Sequence, residues 1–164
     1  MLLKTILNSI DKYKSFIYQQ AFFEVISDIK SIVIEIASRK NSKARCHICD
    51  QCCSTYDRLS QRDFQHVPVW HIPIYFRYCP RRVNCPKHGV IVEALPWAQG
   101  KERITTSYKL FLASWAKRLS WRETATVFRT SWDSVYRSVK WVVEYGLDNR
   151  DWDGVTKIGV DEIA

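Results

Sequence analysis

The sequence predicts an α+β fold, and three observations lead to this expectation. Apolar residues recur at helical spacing at the start of the chain and again after residue 104. β-Branched and aromatic residues cluster or alternate between residues 16 and 37, as in strands. Cysteine pairs at short spacing occupy the middle. With 46% hydrophobic and 26% charged residues among 164, the composition excludes a disordered or membrane-embedded chain.

The first predicted domain, residues 1–38, begins with a short amphipathic helix. Its apolar residues recur at helical spacing: Leu2, Leu3, Ile6, Leu7 and Ile10. Two strands are predicted next, over Phe16–Ile26 and over residues 32–37. In the second, isoleucine occupies every other position. Because alternate side chains of a strand point to opposite faces, this pattern predicts a strand with one strongly apolar face.

The second predicted domain, residues 39–97, carries two pairs of metal-ligand residues. Cys46 and Cys49 form a C-x-x-C pair, and Cys85 and His88 form a C-x-x-H pair after the intervening residues 50–84. Two such turns can converge on one tetrahedral zinc ion, with the run 67–78 expected to form strands of a zinc ribbon. Three thiolates and one imidazole close the coordination shell, so the predicted zinc is structural and not catalytic.

Other cysteines leave alternatives to this ligand set. Cys52 continues the spacing of three residues and could replace a member of the first pair, while Cys79 could compete with Cys85. The turn-forming Pro86 and Gly89 favour the C-x-x-H pair. Free buried thiols are the plainer alternative, but six cysteines in a chain expected in the reducing cytosol favour metal binding over disulfides.

The third predicted domain, residues 104–147, follows a polar linker at 98–103 and is helical. An apolar stripe defines its first helix: Tyr108, Phe111, Leu112, Trp115 and Leu119. Ser120 and Glu123 form a capping box that opens a second helix through Phe128. A third helix is expected after a turn at 129–131. The side chains expected to point towards the core are Trp132, Val135, Val139, Val142 and Val143.

Two helices joined by a three-residue turn are typical of a helix-turn-helix, whose second helix enters the major groove. Polar and basic residues near the start of the third helix would then contact DNA: Ser134, Tyr136, Arg137 and Lys140. A plain three-helix bundle is the alternative. The tryptophans of this domain are interpreted as core residues and not as platforms for base stacking.

Charge is distributed unevenly over a chain of net charge +8. Residues 36–103 hold 12 basic and five acidic groups and residues 104–147 hold seven and three, whereas residues 148–164 hold two and five. A basic body indicates a polyanionic partner, and double-stranded DNA is the expected one; a solvated basic surface is the alternative. The sequence contains no recognisable signal peptide or long apolar span, so a cytoplasmic protein without membrane contact is expected.

The last seven residues, 158–164, combine an apolar run with the carboxylate of Asp161. Such a run predicts a buried strand, in which a carboxylate is costly unless a metal or a base pairs with it. Asp161 is therefore a candidate catalytic acid. A capping or turn aspartate is the alternative.

Several motifs together resemble the bacterial insertion-sequence transposases of the ISL-three family. They occur in order along nearly the whole chain: residues 81–90, 95–98, 117–121, 131–137 and 159–162. The resemblance implies a zinc-binding domain, a helix-turn-helix and a ribonuclease-H-like catalytic domain with three acidic residues. It assigns zinc to Cys46, Cys49, Cys85 and His88, and the first catalytic acid to Asp161.

The resemblance also implies DNA transposition, in which carboxylates hold two Mg²⁺ ions for attack on phosphodiesters. Residues 155–164 would form the first strand of a truncated catalytic domain, because the later two acids have no matching positions. The chain is therefore expected to recognise terminal inverted repeats without cutting DNA, with Mg²⁺ needed only in a complete catalytic domain. A second copy or a full-length transposase is a possible partner.

Two other functions are compatible with parts of the pattern. A stand-alone DNA-binding regulator built from a zinc ribbon and a helix-turn-helix would explain the charge, but it gives Asp161 no role. A zinc-stabilised protein-interaction module is disfavoured by the excess of basic residues over 36–147.

Overall fold

The computed structural model describes residues 3–151 and 153. They form a mixed α+β arrangement, as the sequence predicts, and contain four helices and two four-stranded sheets. The elements in chain order are α1 Leu3–Ile10, β1 Phe16–Ile26, β2 Ile29–Ser38, β3 Ala44–Arg45, β4 Cys52–Arg58, β5 Arg62–Val69, β6 Ile72–Tyr78, β7 Arg81–Cys85, β8 Gly89–Val92, α2 Thr106–Trp115, α3 Trp121–Val127 and α4 Trp132–Asp148.

The first sheet has the strand order β1-β2-β6-β5. Strands β1 and β2 form an antiparallel hairpin whose turn residues Ser27 and Asp28 have φ of 50° and 63°. Strand β2 also pairs in parallel with β6, and β6 pairs antiparallel with β5. Trp97, which follows β8, is 1% exposed and packs edge-on against Phe16 and Tyr78, with ring centroids 4.9 and 5.5 Å away. The loop after β8 is thereby fixed to the core of the first sheet.

The second sheet has the order β3-β4-β7-β8 and differs from the predicted ribbon. Residues 67–78 lie in β5 and β6, which pair within the first sheet. The physical reason is volume: Ile74 and Phe76 are at most 1% exposed and join Ile34 in the larger core. The buried cluster of the second sheet is smaller and consists of alanine, valine and three cysteines, so it offers these large side chains less apolar contact.

A buried polar network joins the two sheets. The carboxylate of Glu93 accepts hydrogen bonds from Tyr78 Oη at 2.6 Å and from the backbone and Nε of Arg81, both at 2.8 Å. The side chains of Arg81 and Glu93 are 6% and 1% exposed. Because Tyr78 ends β6 and Arg81 begins β7, this network couples the end of the first sheet to the second.

The three helices α2, α3 and α4 form a unit with an N-cap on each helix. Thr105, Ser120 and Ser131 accept hydrogen bonds from the backbone N–H three residues later. The predicted capping box of Ser120 and Glu123 is confirmed. Strand β5 holds the unit in place, since Gln65 exchanges backbone hydrogen bonds with Arg103 and Thr105 at 2.7 and 2.9 Å.

The residues of α4 that point towards the core differ from the predicted set. Val135 and Ser138 are fully buried, whereas Trp132 and Val143 are 51% and 53% exposed. The inward prediction was therefore wrong for these two residues. Trp132 is the first residue of the helix, where its ring packs beside Trp121 instead of entering the core.

Two further details of the helical unit differ from the prediction. Helix α2 ends at Trp115, so Leu119 lies in the connection to α3 and not in its stripe. Lys109, only 1% exposed, forms an ion pair with Glu102 and lies 5.0 Å above the ring of Trp141. These contacts fix the linker against α2 and α4.

A buried histidine, His66 in β5, contacts the N-cap of α2. It is 7% exposed, stacks on Phe76, and its Nδ1 lies 2.9 Å from Thr105 Oγ1. That oxygen already accepts from the backbone N–H of Tyr108, so its hydroxyl proton is available for donation to a neutral imidazole. Burial lowers the pKa of His66 from 6.5 to about 4.

We expect acid to destabilise the protein through His66. Its imidazole binds a proton more weakly in the folded chain, so stability falls as the pH drops from about 6.5 towards about 4. Between about pH 7.5 and about pH 5.5, the loss should be roughly 1 kcal/mol by urea unfolding. His66→Asn should remove most of this dependence. The exposed His71 provides the matched control His71→Asn, and an equal loss of pH dependence in both variants would contradict the assignment.

Candidate metal centre

The structure brings the four predicted zinc ligands together. The ligand atoms of Cys46, Cys49, Cys85 and His88 all lie within 4.8 Å of one another. The Cys49 and Cys85 sulfurs are 3.7 Å apart, and His88 Nδ1 lies 3.5 Å from both the Cys46 and the Cys85 sulfur. With zinc–sulfur and zinc–nitrogen bonds of about 2.3 and about 2.0 Å, tetrahedral geometry requires separations of about 3.8 and about 3.5 Å. The cluster therefore fits a tetrahedral zinc ion.

Local backbone geometry explains how the two pairs converge. Cys46 and Cys49 lie between β3 and β4, where the Asp50 N–H donates to the Cys46 carbonyl at 2.9 Å and Asp50 has φ of 55°. Cys85 ends β7, His88 lies in the turn that follows, and Gly89, the first residue of β8, has φ of 68°. Glycine adopts this left-handed conformation without steric cost. Each turn thus directs its two side chains to one point.

The electrostatics of the cluster favour a bound cation. Hydrogen bonds from the backbone N–H of Cys49 and Ile48 lower the pKa of Cys46. Burial raises the pKa of Cys85, but hydrogen bonds from the backbone N–H groups of Lys87 and His88, together with those from the neighbouring thiols, lower it to about 7. The pKa of Cys49 is raised despite a hydrogen bond from the Gln51 N–H, because burial and the neighbouring sulfurs oppose its ionisation. A divalent cation would relieve this repulsion between thiolates.

The alternative ligands lie apart from the cluster in the described structure. Cys52 is exposed, and neither it nor Cys79 is within the group of four. Cys53 is buried beside the cluster, but its thiol donates a hydrogen bond to the Gln51 carbonyl at 3.3 Å. The ring of His47 points away to the Val92 carbonyl, at 2.9 Å. The geometry favours the ligand set that the spacing predicted, and metal binding itself stays a prediction.

The residues predicted to contact DNA lie on α4, but two of them have partners in the same helix. Arg137 forms an ion pair with Asp133 at 2.8 Å, and Lys140 lies 3.7 Å from Glu144. Tyr136 is 39% exposed. The Ser134 hydroxyl lies 2.8 Å from that of Ser131. All four side chains reach the surface at least in part.

Sequence reasoning missed a group of three aromatic rings in the same region, of which two are exposed and Trp121 is partly buried. Trp121, Trp132 and Tyr136 lie with their ring centroids 5.5 to 5.6 Å apart. The signal for Trp132 and Tyr136 was present, since residues four apart share a helix face. This signal was not used, because the tryptophans had been interpreted as core residues. Asp161, the predicted catalytic acid, lies outside the described residues.

The chain is similar to curated transposases. It is 27% identical over 137 residues to the transposase for insertion sequence element IS1557 from two Mycobacterium tuberculosis strains, CDC 1551 / Oshkosh and ATCC 25618 / H37Rv. The alignment covers 81% of this chain, and the chain spans about 30% of the length of these relatives. No family model and no solved structure matches the chain significantly. No helix in the described part of the chain is long and apolar enough to cross a membrane. The similarity supports a transposition-related role.

Proposed function

We propose that this chain is the DNA-recognition portion of an insertion-sequence transposase of the ISL-three type. The observation that carries the proposal is the alignment with the IS1557 transposase over 81% of the chain. In this proposal the chain binds the terminal inverted repeats of its element. Its net charge of +8 supports a polyanionic partner.

A structural zinc ion is the first part of the proposal. The ion would be held by Cys46, Cys49, Cys85 and His88. It would cross-link the two turns, and its four protein ligands would leave no coordination position open for water. The four residues join the β3–β4 turn to the β7–β8 turn. Their role is to keep the second sheet in one shape.

A helix-turn-helix formed by α3 and α4 is the second part. Helix α3 ends at Val127, and Ser131 caps the start of α4, so the connection is short. Tyr108 Oη donates to the Phe128 carbonyl at 3.0 Å, which ties this connection to α2. Helix α4 presents polar and aromatic groups in its first two turns, where a recognition helix contacts base edges.

Catalysis by the complete transposase is the third part. The whole relatives are transposases, and the resemblance assigns the first of three metal-binding acids to Asp161. Two Mg²⁺ ions would belong to that complete domain. A second copy of the chain or a full-length transposase is the proposed protein partner at the element ends.

A stand-alone zinc-ribbon and helix-turn-helix regulator is the second candidate. It is supported by the closed Cys and His cluster and the exposed start of α4, neither of which requires catalysis. Sequencing the DNA on both sides of the coding region separates the two. Inverted repeats that flank an acidic catalytic domain support the transposase, and their absence favours the regulator.

We expect Arg137 and Lys140 to contribute to DNA binding. If Arg137 contacts a guanine, Arg137→Ala should cost roughly 1–3 kcal/mol and relax specificity at one position. If Lys140 contacts a phosphate, Lys140→Ala should weaken binding to all DNA sequences equally. It should also reduce the slope of the logarithm of the binding constant against the logarithm of the salt concentration by about one unit. The measurement is fluorescence anisotropy with genomic duplexes that flank the coding sequence. Lys30→Ala on the β1–β2 hairpin is the control, and unchanged affinity in the Arg137 and Lys140 double variant would contradict the expectation.

A further inference from the structure

Three aromatic side chains pack together at the junction of α3 and α4, two of them exposed and one, Trp121, partly buried against the helical core. We call Trp121, Trp132 and Tyr136 the aromatic cluster. The rings of Trp132 and Tyr136 are parallel within 2° at 5.5 Å, and Trp121 is tilted by 53° against both. Trp132 is 51% exposed and Tyr136 is 39% exposed. Two large rings that pack on each other while facing water form an apolar patch on a basic protein.

The charges around the aromatic cluster favour a polyanion over an apolar protein partner. Arg118, Arg122 and Arg129 are exposed, and none of them forms an ion pair with any residue in the described part of the chain. Arg122 directly follows Trp121, and Arg129 lies in the connection that leads to Trp132. By contrast, the cations farther along α4 have acidic partners one turn away. Two exposed arginines without an acidic partner therefore flank the aromatic cluster along the chain, Arg122 directly after Trp121 and Arg129 three residues before Trp132.

The position of the rings on α4 defines the part of DNA that they can reach. Trp132 is the first residue of the helix and Tyr136 lies one turn later. The N-terminal residues of a recognition helix contact base edges in the major groove. The apolar group that the major groove exposes is the C5-methyl of thymine.

We propose that the aromatic cluster reads thymine methyl groups in the major groove while Arg118, Arg122 and Arg129 bind the flanking phosphates. This inference rests on the proposed DNA-binding function and adds the chemical class of base that is read. Trp121 acts as a positioning residue, because its ring contacts both Trp132 and Tyr136 and fixes their orientation. Burial of one methyl group corresponds to about a fourfold change in Kd.

The test begins with selection of duplexes from a library with a random core, using the full chain. In an enriched duplex, each thymine is then replaced by uracil, which differs only by the missing methyl group. We expect replacement at one or two positions to weaken binding about fourfold each. Trp132→Ala should weaken binding to the thymine duplex and abolish the difference between thymine and uracil. Tyr136→Leu is the second variant, should Trp132→Ala not fold.

Two further variants separate the methyl contact from general effects. Trp70 is 88% exposed at the β5–β6 turn and has φ of 50°, so Trp70→Asn removes an exposed indole where asparagine is tolerated. This control should keep the uracil effect. Arg122→Ala should reduce the salt slope by about one unit and also keep the uracil effect.

The outcomes distinguish the inference from the function on which it rests. If no duplex is enriched and binding shows no salt dependence, both the proposed function and the inference fail. If duplexes are enriched but uracil is tolerated at every position, only the inference fails. The same conclusion follows if the uracil effect persists in every folded variant of Trp132 and Tyr136.

Discussion

Cys85→Ser is expected to abolish metal binding by the chain and to unfold the second sheet. The Cys85 sulfur is one of the four candidate ligand atoms and lies 3.7 Å from the Cys49 sulfur and 3.5 Å from His88 Nδ1. A serine hydroxyl is a much poorer zinc ligand than a thiolate, so three ligands would remain. Structural zinc contributes roughly 10–16 kcal/mol in zinc-finger peptides, more than a small sheet has in reserve.

The size of the core explains why this loss should be large. The buried cluster of the second sheet has only five members, of which Cys46, Cys53 and Cys85 are thiols and Ala44 is small. Such a cluster buries little apolar area, and small modules of this kind usually depend on a metal or a disulfide. Without the metal, the turns that carry Cys46 and His88 have no covalent or hydrophobic anchor of comparable strength.

Elemental analysis and hydrogen exchange measure the two expected effects. Reduced, freshly purified protein should contain one zinc per chain, and Cys85→Ser should contain none. Amide protection in β4 and β7 should be lost in the variant. Cys52→Ser is the matched control, because Cys52 lies in the neighbouring strand but is exposed and outside the group of four. A metal-free wild-type protein, or equal loss of metal in Cys52→Ser, would refute the assignment.

The features that sequence reasoning predicted correctly are local in the chain. The capping box depends on Ser120 and Glu123, three residues apart, and each half of the Cys and His cluster lies within one turn. Alternating isoleucines similarly place a strand in β2. The physical rules for these patterns involve only residues that are close in the chain, so a single sequence is enough to predict them.

The features that it missed depend on long-range partners. The parallel pairing of β2 with β6 joins Ile34 to Phe76, and no local pattern specifies that partner. The exposure of Trp132 likewise depends on where α2 and α3 leave space. The prediction that Trp132 is buried, which rested on its apolar character, was therefore wrong. The role of Glu93 was not visible in the sequence because its partners lie far from it along the chain, Tyr78 at the end of β6 and Arg81 at the start of β7. Core volume and tertiary contacts determine these features.

The buried network around Glu93 leads to the second large expected effect. Glu93→Gln keeps the size of the side chain but leaves the guanidinium of Arg81 without a negative partner. Both side chains are at most 6% exposed, so water cannot replace the lost charge. Removing one partner of such a pair typically costs about 3–5 kcal/mol, and we expect a loss of this order in urea unfolding.

Glu144→Gln is the control with the same chemical change. Glu144 lies 3.7 Å from Lys140, and both side chains are 57% exposed. Exposed pairs of this spacing contribute about 0.3–0.5 kcal/mol, so this variant should unfold at nearly the same urea concentration as the wild type. A similar small effect of Glu93→Gln would show that the buried pair is dispensable.

A double variant identifies the cause of the expected loss. If the cost of Glu93→Gln comes from the stranded charge of Arg81, then adding Arg81→Met should recover part of the stability, because methionine retains much of the apolar stem without the charge. The glutamine could still accept the hydrogen bond from Tyr78 Oη, which lies 2.6 Å from the carboxylate in the wild type. The wild type, the two single variants and the double variant form a double-mutant cycle. Because the effects of substitutions at contacting residues are not additive, we expect a coupling energy of roughly 1–3 kcal/mol. Additive losses would instead assign the effect to packing at the two positions separately, and the network would no longer explain how the two sheets are joined.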